Sequence, residues 1–396
     1  MNGYRCFACE SIQAAAFSGF VCPSCGGNLD VVNDRDTILA QIRKSPFDSA
    51  RIPLQIGNTP LYPAERLGQM VGLRNLYLKD DTVNPSASSK DRASAAVVIR
   101  ALEAGATTVS VASTGNAGSS LACVAAAAGI QAVVLVPESA PPAKLTQALS
   151  FGATVLAVRG NYDDAFDLCF AASNRFGWFN RSTGINPFTR EGKKVCAWEI
   201  WASLEGRIPD RIVVPTGDGN ILSGMWKGWR ELKFAGLIDR LPKIDCAQSS
   251  SSAAISHTVN RIRGNGDPDW AAVKIEPVDA NTLADSISVN LPRDGLAAVR
   301  AVIESGGAAV TVPDEEILAA IPEMAAATGV FPEPAAATPW AAVKQMAKET
   351  HIAPDELVVC LVSGNGLKDI GRAQEAAGTP QIIDPTLEAL ESALVS

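Results

Sequence analysis

Asn84-Pro85-Ser86-Ala87-Ser88-Ser89-Lys90-Asp91-Arg92 sets one lysine where a loop of small residues gives way to a helix. The run before it, Leu76-Tyr77-Leu78-Lys79, alternates like a strand. The run after it, Ala93 to Glu103, is rich in helix formers and stops at Gly105. A lysine at such a turn can reach an aldehyde held above the helix start. Taken alone, Lys-Asp-Arg is equally an ordinary solvated helix opening. Two later segments shift that balance. Ser113-Thr114-Gly115-Asn116-Ala117-Gly118 follows the apolar strand 108–112 and precedes an alanine-rich helix. Pro215-Thr216-Gly217-Asp218-Gly219-Asn220 follows the strand 212–214. Both are strand–glycine turn–helix units, whose free N–H groups bind anions such as phosphate or carboxylate. Two such turns plus a lysine on a third point to a phosphorylated aldehyde cofactor and a carboxylate substrate.

The chain has 396 residues, 47% of them hydrophobic and only 6% aromatic, the profile of an alanine- and valine-rich α/β enzyme with more than one domain. A net charge of −8 argues against nucleic acid or an anionic membrane as partner. No apolar run approaches membrane-spanning length, and the N-terminus lacks the apolar core of a signal peptide. A cytoplasmic location is expected, with most of the nine cysteines as reduced thiols. Strands are expected near 75–79, 107–112, 131–136, 153–158, 211–214, 243–247, 308–312 and 356–362, with helices between them. That alternation means parallel sheet with helices on both faces. Asp34 to Arg51 reads as a short helix and linker, and 264–268 as a surface loop.

Four cysteines form a separate constellation. Cys6-x-x-Cys9 and Cys22-x-x-Cys25 are twelve residues apart, and Gly26-Gly27 suits a tight knuckle that aims sulfurs at one ion. The spacing is close to a zinc ribbon, and four thiolates would close a structural zinc site with no open position. Two redox CxxC pairs are the alternative, but neither sits on a βαβ unit. Cys123, Cys169, Cys196, Cys246 and Cys360 lie in apolar patterns and read as small buried hydrophobes.

Asn-Pro-x-x-Ser-x-Lys-Asp-Arg, Ser-Thr-Gly-Asn-Ala-Gly and Ser363-Gly364-Asn365-Gly366-Leu367-Lys368-Asp369 together resemble the fold-type II pyridoxal-phosphate enzymes. Asn58-Thr59-Pro60-Leu61, Asn186-Pro187, Glu191-Gly192-Lys193-Lys194 and Trp198-Glu199-Ile200 are most similar to the threonine synthases among them. The matches keep the family's order over roughly residues 55 to 370. The resemblance implies two α/β domains with pyridoxal 5'-phosphate in the cleft between them. Residues 1–35 would form the ribbon-like segment, 36–92 and 188–396 the large domain, and 93–187 a smaller inserted one. It also implies a homodimer.

The resemblance further implies roles. Lys90 would join the cofactor aldehyde and act as general base at Cα and then Cβ. Asn116 would bond the ring 3-hydroxyl, and Ser113, Thr114 and Gly115 the substrate carboxylate. Gly217, Asp218, Gly219 and Asn220 would cradle the cofactor phosphate, with Asp218 turned away as a cap; many relatives carry a longer turn there. Ser363 would meet the pyridine nitrogen, a hydroxyl that suits elimination and replacement better than transamination. The substrate would be O-phosphohomoserine and the nucleophile water. Ser88, Ser182, Arg190, Lys193 and Lys194 are the candidates for its phosphate. The chain departs from the family where Ser89 replaces an aromatic residue. It departs again where Phe188 and Thr189 stand near the usual arginine, with Arg190 displaced by one. Replacement on O-phosphoserine, as in cysteate synthase, or deamination of threonine or serine are the alternatives on the same frame. A non-catalytic scaffold is a third, against which the joint presence of Lys90, Asn116 and Ser363 argues. His257 and His351 lie outside every motif and no Gly-x-Ser-x-Gly elbow exists, so a serine hydrolase lacks its parts. Gly-Asp-Gly at 217 is not a dinucleotide fingerprint.

Overall fold

A computed structural model describes residues 1–17, 19–47, 51–264, 266 and 268–395. Parts of the expected linker before Arg51 and of the expected loop at 264–268 lie outside the described residues.

The chain opens with β1 (Gly3–Cys6), β2 (Ile12–Ala14) and β3 (Leu29–Val32), an antiparallel sheet in the order β2-β1-β3. Tyr4, Cys6, Leu29 and Val31 bury their side chains as a small core of their own. Asp34 then caps α1 (Arg35–Arg43) by accepting the Thr37 N–H. Next come β4 (Leu61–Pro63) and β5 (Asn75–Asp80). A four-stranded parallel sheet follows from β6 (Thr108–Ala112), β7 (Gln131–Pro137), β8 (Thr154–Val158) and β9 (Phe179–Asn180), in the order β8-β7-β6-β9. Finally β10 (Arg211–Pro215), β11 (Lys243–Ser249), β12 (Ala309–Val312) and β13 (Leu357–Val362) return to join β4 and β5. They form a six-stranded sheet ordered β12-β11-β10-β13-β5-β4, parallel except at β4. All eight expected strands are present. The two-residue β9, the edge strand β4 and the three N-terminal strands are additions, too short to show a period of two.

The α-helices are α1 and then α2 (Glu65–Val71), α3 (Lys90–Glu103), α4 (Asn116–Ala128), α5 (Pro142–Ser150), α6 (Tyr162–Phe176), α7 (Phe188–Ser203), α8 (Asn220–Phe234), α9 (Ala254–Ile262), α10 (Gly295–Ser305), α11 (Asp314–Thr328), α12 (Pro334–Lys348), α13 (Ile370–Ala377) and α14 (Leu387–Val395). Strands β6 and β10 are buried at every residue, as expected of parallel strands covered on both faces. The fold is thus α/β with two open parallel sheets. No described helix is long and apolar enough to cross a membrane.

Helices α3 and α7 touch backbone to backbone. A Cβ added at Gly192 would stand 2.0 Å from the carbonyl oxygen of Arg92, so only glycine fits there. This contact sets the helix that begins at Lys90 against the one that carries Arg190, Lys193 and Lys194.

Candidate active site

Lys90 is the first residue of α3, and the loop before it is pinned at several points. Asp91 accepts the Ser86 N–H at 2.6 Å and the Ser86 hydroxyl at 2.5 Å. Ser89 N–H donates to the Ser363 carbonyl at 2.8 Å, and Asn365 N–H to the Ala87 carbonyl at 3.1 Å. The Ser363–Gly366 turn and the lysine loop therefore form one unit, although they stand far apart in sequence. Below it lies a buried charge network. Arg92 donates to both oxygens of Asp81 and both of Glu199, and Glu199 also takes Lys79 at 2.7 Å and the Asn58 N–H at 2.7 Å. Burial alone would push the Glu199 carboxyl up; Arg92 and Lys79 outweigh it and bring it down to about 2. The Asp-Arg that follows Lys90 is thus a buried fastening, not a solvated helix opening.

The Lys90 ammonium itself meets no hydrogen-bond or ion-pair partner among the described residues. Burial lowers its pKa, the nearby Glu333 opposes that, and Arg181 adds to it. An amine shifted toward its neutral form is the form that attacks an aldehyde or takes a proton.

The expected phosphate-binding cations divide into two kinds. Arg190 donates to Asp294 at 2.5 Å and to Asp30 at 3.2 Å, and stacks on Phe7. Lys194 pairs with Glu191 at 2.8 Å and Glu231 at 2.9 Å. Both are neutralised within the chain and face the N-terminal strands and α8. Lys193 is 3% exposed and has no such partner among the described residues. Burial lowers its pKa well below the ordinary value, and the charges of Lys90 and Arg181 push the same way. Arg181 is fully buried with no carboxylate partner; it reaches only Ser94 and Thr183 hydroxyls at 3.3 and 3.4 Å, and Nη2 bonds nothing. Burial brings it down to about 10. The hydroxyls of Ser88, Ser89 and Ser182 are also buried and unbonded. Two buried cations, Arg181 and Lys193, and the half-buried Lys90 stand without counter-ions; with three unsatisfied hydroxyls on the same segments they form a donor set that fits a polyvalent anion.

The two glycine turns supply more donors. Gly219 has φ +89° and starts α8 without a side-chain cap. The N–H groups of Gly217, Asp218, Asn220 and Ile221 donate to no acceptor among the described residues. Asp218 aims its carboxylate at the Arg293 N–H, 3.0 Å away. Gly115 precedes α4, again with no side-chain cap, and takes the Ser113 hydroxyl on its N–H at 3.3 Å. Thr114 is half-buried beside it. Ser363, 5% exposed, directly follows β13.

The model of the pyridoxal-phosphate dependent enzyme family matches residues 52–364. Threonine synthase of Methanosarcina acetivorans is 35% identical over 100% of this chain and 99% of its own length. That of Methanocaldococcus jannaschii is 34% identical over 98% of each. The chain belongs to the pyridoxal-phosphate-dependent enzymes, in their threonine synthase branch. Among solved structures, processed threonine deaminase isoform 2 from Solanum lycopersicum aligns at a TM-score of 0.70 and 20% identity, covering 88% of this chain and 90% of that one. Maize serine racemase aligns at 0.68 and 19%, covering 92% and 99%. These two likenesses show the shared fold.

Membership gives meaning to residues that the sequence reading passed over. Asn116 donates to both oxygens of Glu333, at 2.9 and 3.0 Å, and to the Ser286 hydroxyl at 3.2 Å. Glu333 is buried, which raises its pKa against the pull of Asn116 and Lys90. Its signal in the sequence was a lone acid in an alanine-rich stretch, just before Pro334 opens α12. Lys368 reaches the Ser119 hydroxyl and the Gln147 side-chain oxygen. Asn116, Ser119, Gln147, Glu333 and Lys368 line a cavity of about 410 Å³. A larger cavity, about 590 Å³, lies between the three-stranded sheet and α8 and includes none of the residues around Lys90. Arg181 precedes Ser182 in the expected list, but nothing local marked it as unpaired.

The four cysteines converge. Cys6 lies 3.5 Å from Cys25, Cys9 3.4 Å from Cys25 and 3.7 Å from Cys22, sulfur to sulfur, and all four sulfurs lie within 4.8 Å of one another. A tetrahedron with metal–sulfur arms of about 2.3 Å has edges of about 3.8 Å. The four thiols therefore fit one metal ion. The other five cysteines are buried in the core, where burial pushes Cys123, Cys196 and Cys246 up to about 12.

Proposed function

We propose that the chain is a threonine synthase that converts O-phosphohomoserine and water to threonine and phosphate. The observation that carries it is the set of unpartnered cations: Arg181 and Lys193, both buried, with the half-buried Lys90. Pyridoxal phosphate fits Lys90 and the groups around it: Lys90 would hold its aldehyde, Asn116 its 3-hydroxyl and Ser363 its ring nitrogen. Gly217 to Asn220 would hold its phosphate, with Asp218 turned toward Arg293. When bound, the cofactor supplies the electron sink that makes proton loss at Cα feasible.

The chain's own residues do the rest. The N–H groups and hydroxyls of Ser113, Thr114 and Gly115 hold the substrate carboxylate. The lowered Lys90 amine takes the Cα proton and then a Cβ proton; protons returned to Cγ after phosphate leaves and finally to Cα complete the methyl group and the amino acid. Lys193 and Arg181, with the Ser88 and Ser182 hydroxyls, hold the substrate phosphate as its bond to Cγ breaks. Water then adds at Cβ. We assign Arg190 and Lys194 to fastening rather than to this phosphate, because their carboxylate partners already neutralise them. Residues 93–187 are read as the lobe inserted into the larger domain of 36–92 and 188–396, a division supported by where the strands of the two parallel sheets fall. The knuckle is read as a structural zinc site, supported by the sulfur spacing. A homodimer in the cytoplasm completes the reading, the location supported by nine cysteines that all stand as free thiols.

Phosphate release measured side by side on O-phosphohomoserine and O-phosphoserine tests the substrate. A preference of at least one decade in kcat/KM for the first is expected on the order of magnitude one well-placed group supplies. Faster turnover of O-phosphoserine would overturn the assignment and favour the O-phosphoserine-type synthase.

A further inference from the structure

Asp294 is fully buried between the three-stranded sheet and the turn at 217–220. One carboxylate oxygen accepts Arg190 at 2.5 Å and Asn28 Nδ2 at 3.1 Å. The other accepts Asn220 Nδ2 at 2.8 Å and the Ser223 hydroxyl at 2.9 Å. The Asp294 N–H donates to the Asp218 carbonyl at 3.0 Å, and the Arg293 N–H to the Asp218 carboxylate at 3.0 Å. Residues 293–294 therefore bind both Asp218 and Asn220, the two side-chain-bearing residues of the turn read above as the cofactor-phosphate cradle.

On the other side stands Asn28. Its amide donates to the Arg293 carbonyl at 2.6 Å as well as to Asp294. Its backbone carbonyl accepts the Phe7 N–H at 3.0 Å, next to Cys6, and the preceding Gly27 backbone carbonyl accepts the Cys22 N–H at 2.9 Å. Asn28 is thus bonded into both cysteine hairpins. The path from the four sulfurs to the turn passes through Asn28, Arg293 and Asp294.

We propose that the four-cysteine knuckle positions the phosphate-binding turn, with Asn28 and Asp294 as the positioning residues. A closed metal site fixes the two hairpins, the hairpins fix Asn28, and Asn28 with Asp294 fixes Asp218 and Asn220. The N–H groups of the turn are then aimed before the phosphate arrives. This rests on reading the 217–220 turn as the cofactor-phosphate site. The competing account makes Asp294 only a counter-ion for Arg190, with Asn28 a surface amide that fills a gap.

The two accounts separate when full-length protein, freed of cofactor, is titrated with pyridoxal phosphate and with pyridoxal. Pyridoxal carries the aldehyde without the phosphate. Asn28→Ala keeps all four thiols and a half-buried position, so folding should survive. It is expected to weaken pyridoxal phosphate about fivefold, the worth of one net hydrogen bond, and to leave pyridoxal within about twofold. Wild-type protein stripped of metal by a chelator should show the same selective loss. If Asn28→Ala and the stripped protein both keep the wild-type preference for the phosphorylated aldehyde, the positioning role is wrong. Equal weakening of both aldehydes, with a lower Tm, would mark a merely structural role and also overturn it. A wild-type protein with no preference for the phosphorylated aldehyde would instead overturn the reading of the turn itself.

Discussion

Arg190 and Lys194 sit on the same helix as Lys193, and all three are buried, yet only the first two meet carboxylates. Arg181, just before that helix, resembles Lys193 in having none. Burying a charge is costly, and a chain offsets the cost by pairing it. A buried cation left bare in the ligand-free chain is therefore a place where an anion from outside is expected. On the proposed reading, matched cations hold the fold together and unmatched ones serve the chemistry.

Lys90 is the first test of that division. Lys90→Ala should abolish turnover while leaving the fold intact. Borohydride reduction of the loaded protein followed by peptide mapping should label Lys90. The informative rival is Lys193, a buried amine that likewise meets no carboxylate among the described residues; a label there, or on Lys79 or Lys144, would move the reacting lysine and break the assignment.

A matched cation should behave in the opposite way. Arg190→Ala leaves Asp294 without its charge partner inside the protein, and such a loss costs about 3–5 kcal/mol. Denaturant unfolding reads this directly. A variant with wild-type stability would mean that Arg190 is not the fastening its geometry describes.

Glu199 extends the test to pH. Its carboxyl is held at about 2 against an ordinary 4.5. A group depressed in the folded state stabilises above its unfolded value and loses that contribution as pH falls through the folded one. The network should therefore contribute fully above pH about 4.5 and fade between there and about 2, by roughly 3 kcal/mol. Glu199→Gln should be less stable than wild type at neutral pH and converge with it on acidification. Parallel curves for the two proteins would show that Glu199 is not held in the way the Arg92 and Lys79 contacts require.

How much of this was legible in the sequence follows the same line. Lys90, the two glycine turns and the cysteine knuckle have local signatures: a strand, a turn with open N–H groups, a helix start, a spacing. The alternation that marked eight strands is equally local. What was not legible depends on partners far away. Asp91 and Arg92 looked solvated because Ser86, Asp81 and Glu199 meet them only in three dimensions. Arg190, Lys193 and Lys194 looked alike because a helix sequence does not say which face will find Asp30, Asp294 or Glu231. Arg181 and Asp294 had no motif at all. Glu333 acquires its place only through Asn116, on a different helix.

The smallest effect separates the two kinds of cation most cleanly. Lys193→Ala removes a buried ammonium that has no partner in the ligand-free chain, so it should leave stability unchanged or raise it slightly. In turnover it should remove a charge-assisted hydrogen bond to phosphate, worth about 1.5–3 kcal/mol, which is one to two decades in kcat/KM. Lys194→Ala, one residue away, should do the reverse: it takes from Glu231 its ion-pair partner and leaves Glu191 only Lys227, at 2.7 Å, so it lowers stability, with kcat/KM nearly intact once the protein is folded. Assayed together on O-phosphohomoserine, the two variants give crossed results if the division is right. If Lys193→Ala keeps wild-type kcat/KM while Lys194→Ala loses it, matching within the chain does not tell fastening from function here, and the phosphate is held on the other side of α7.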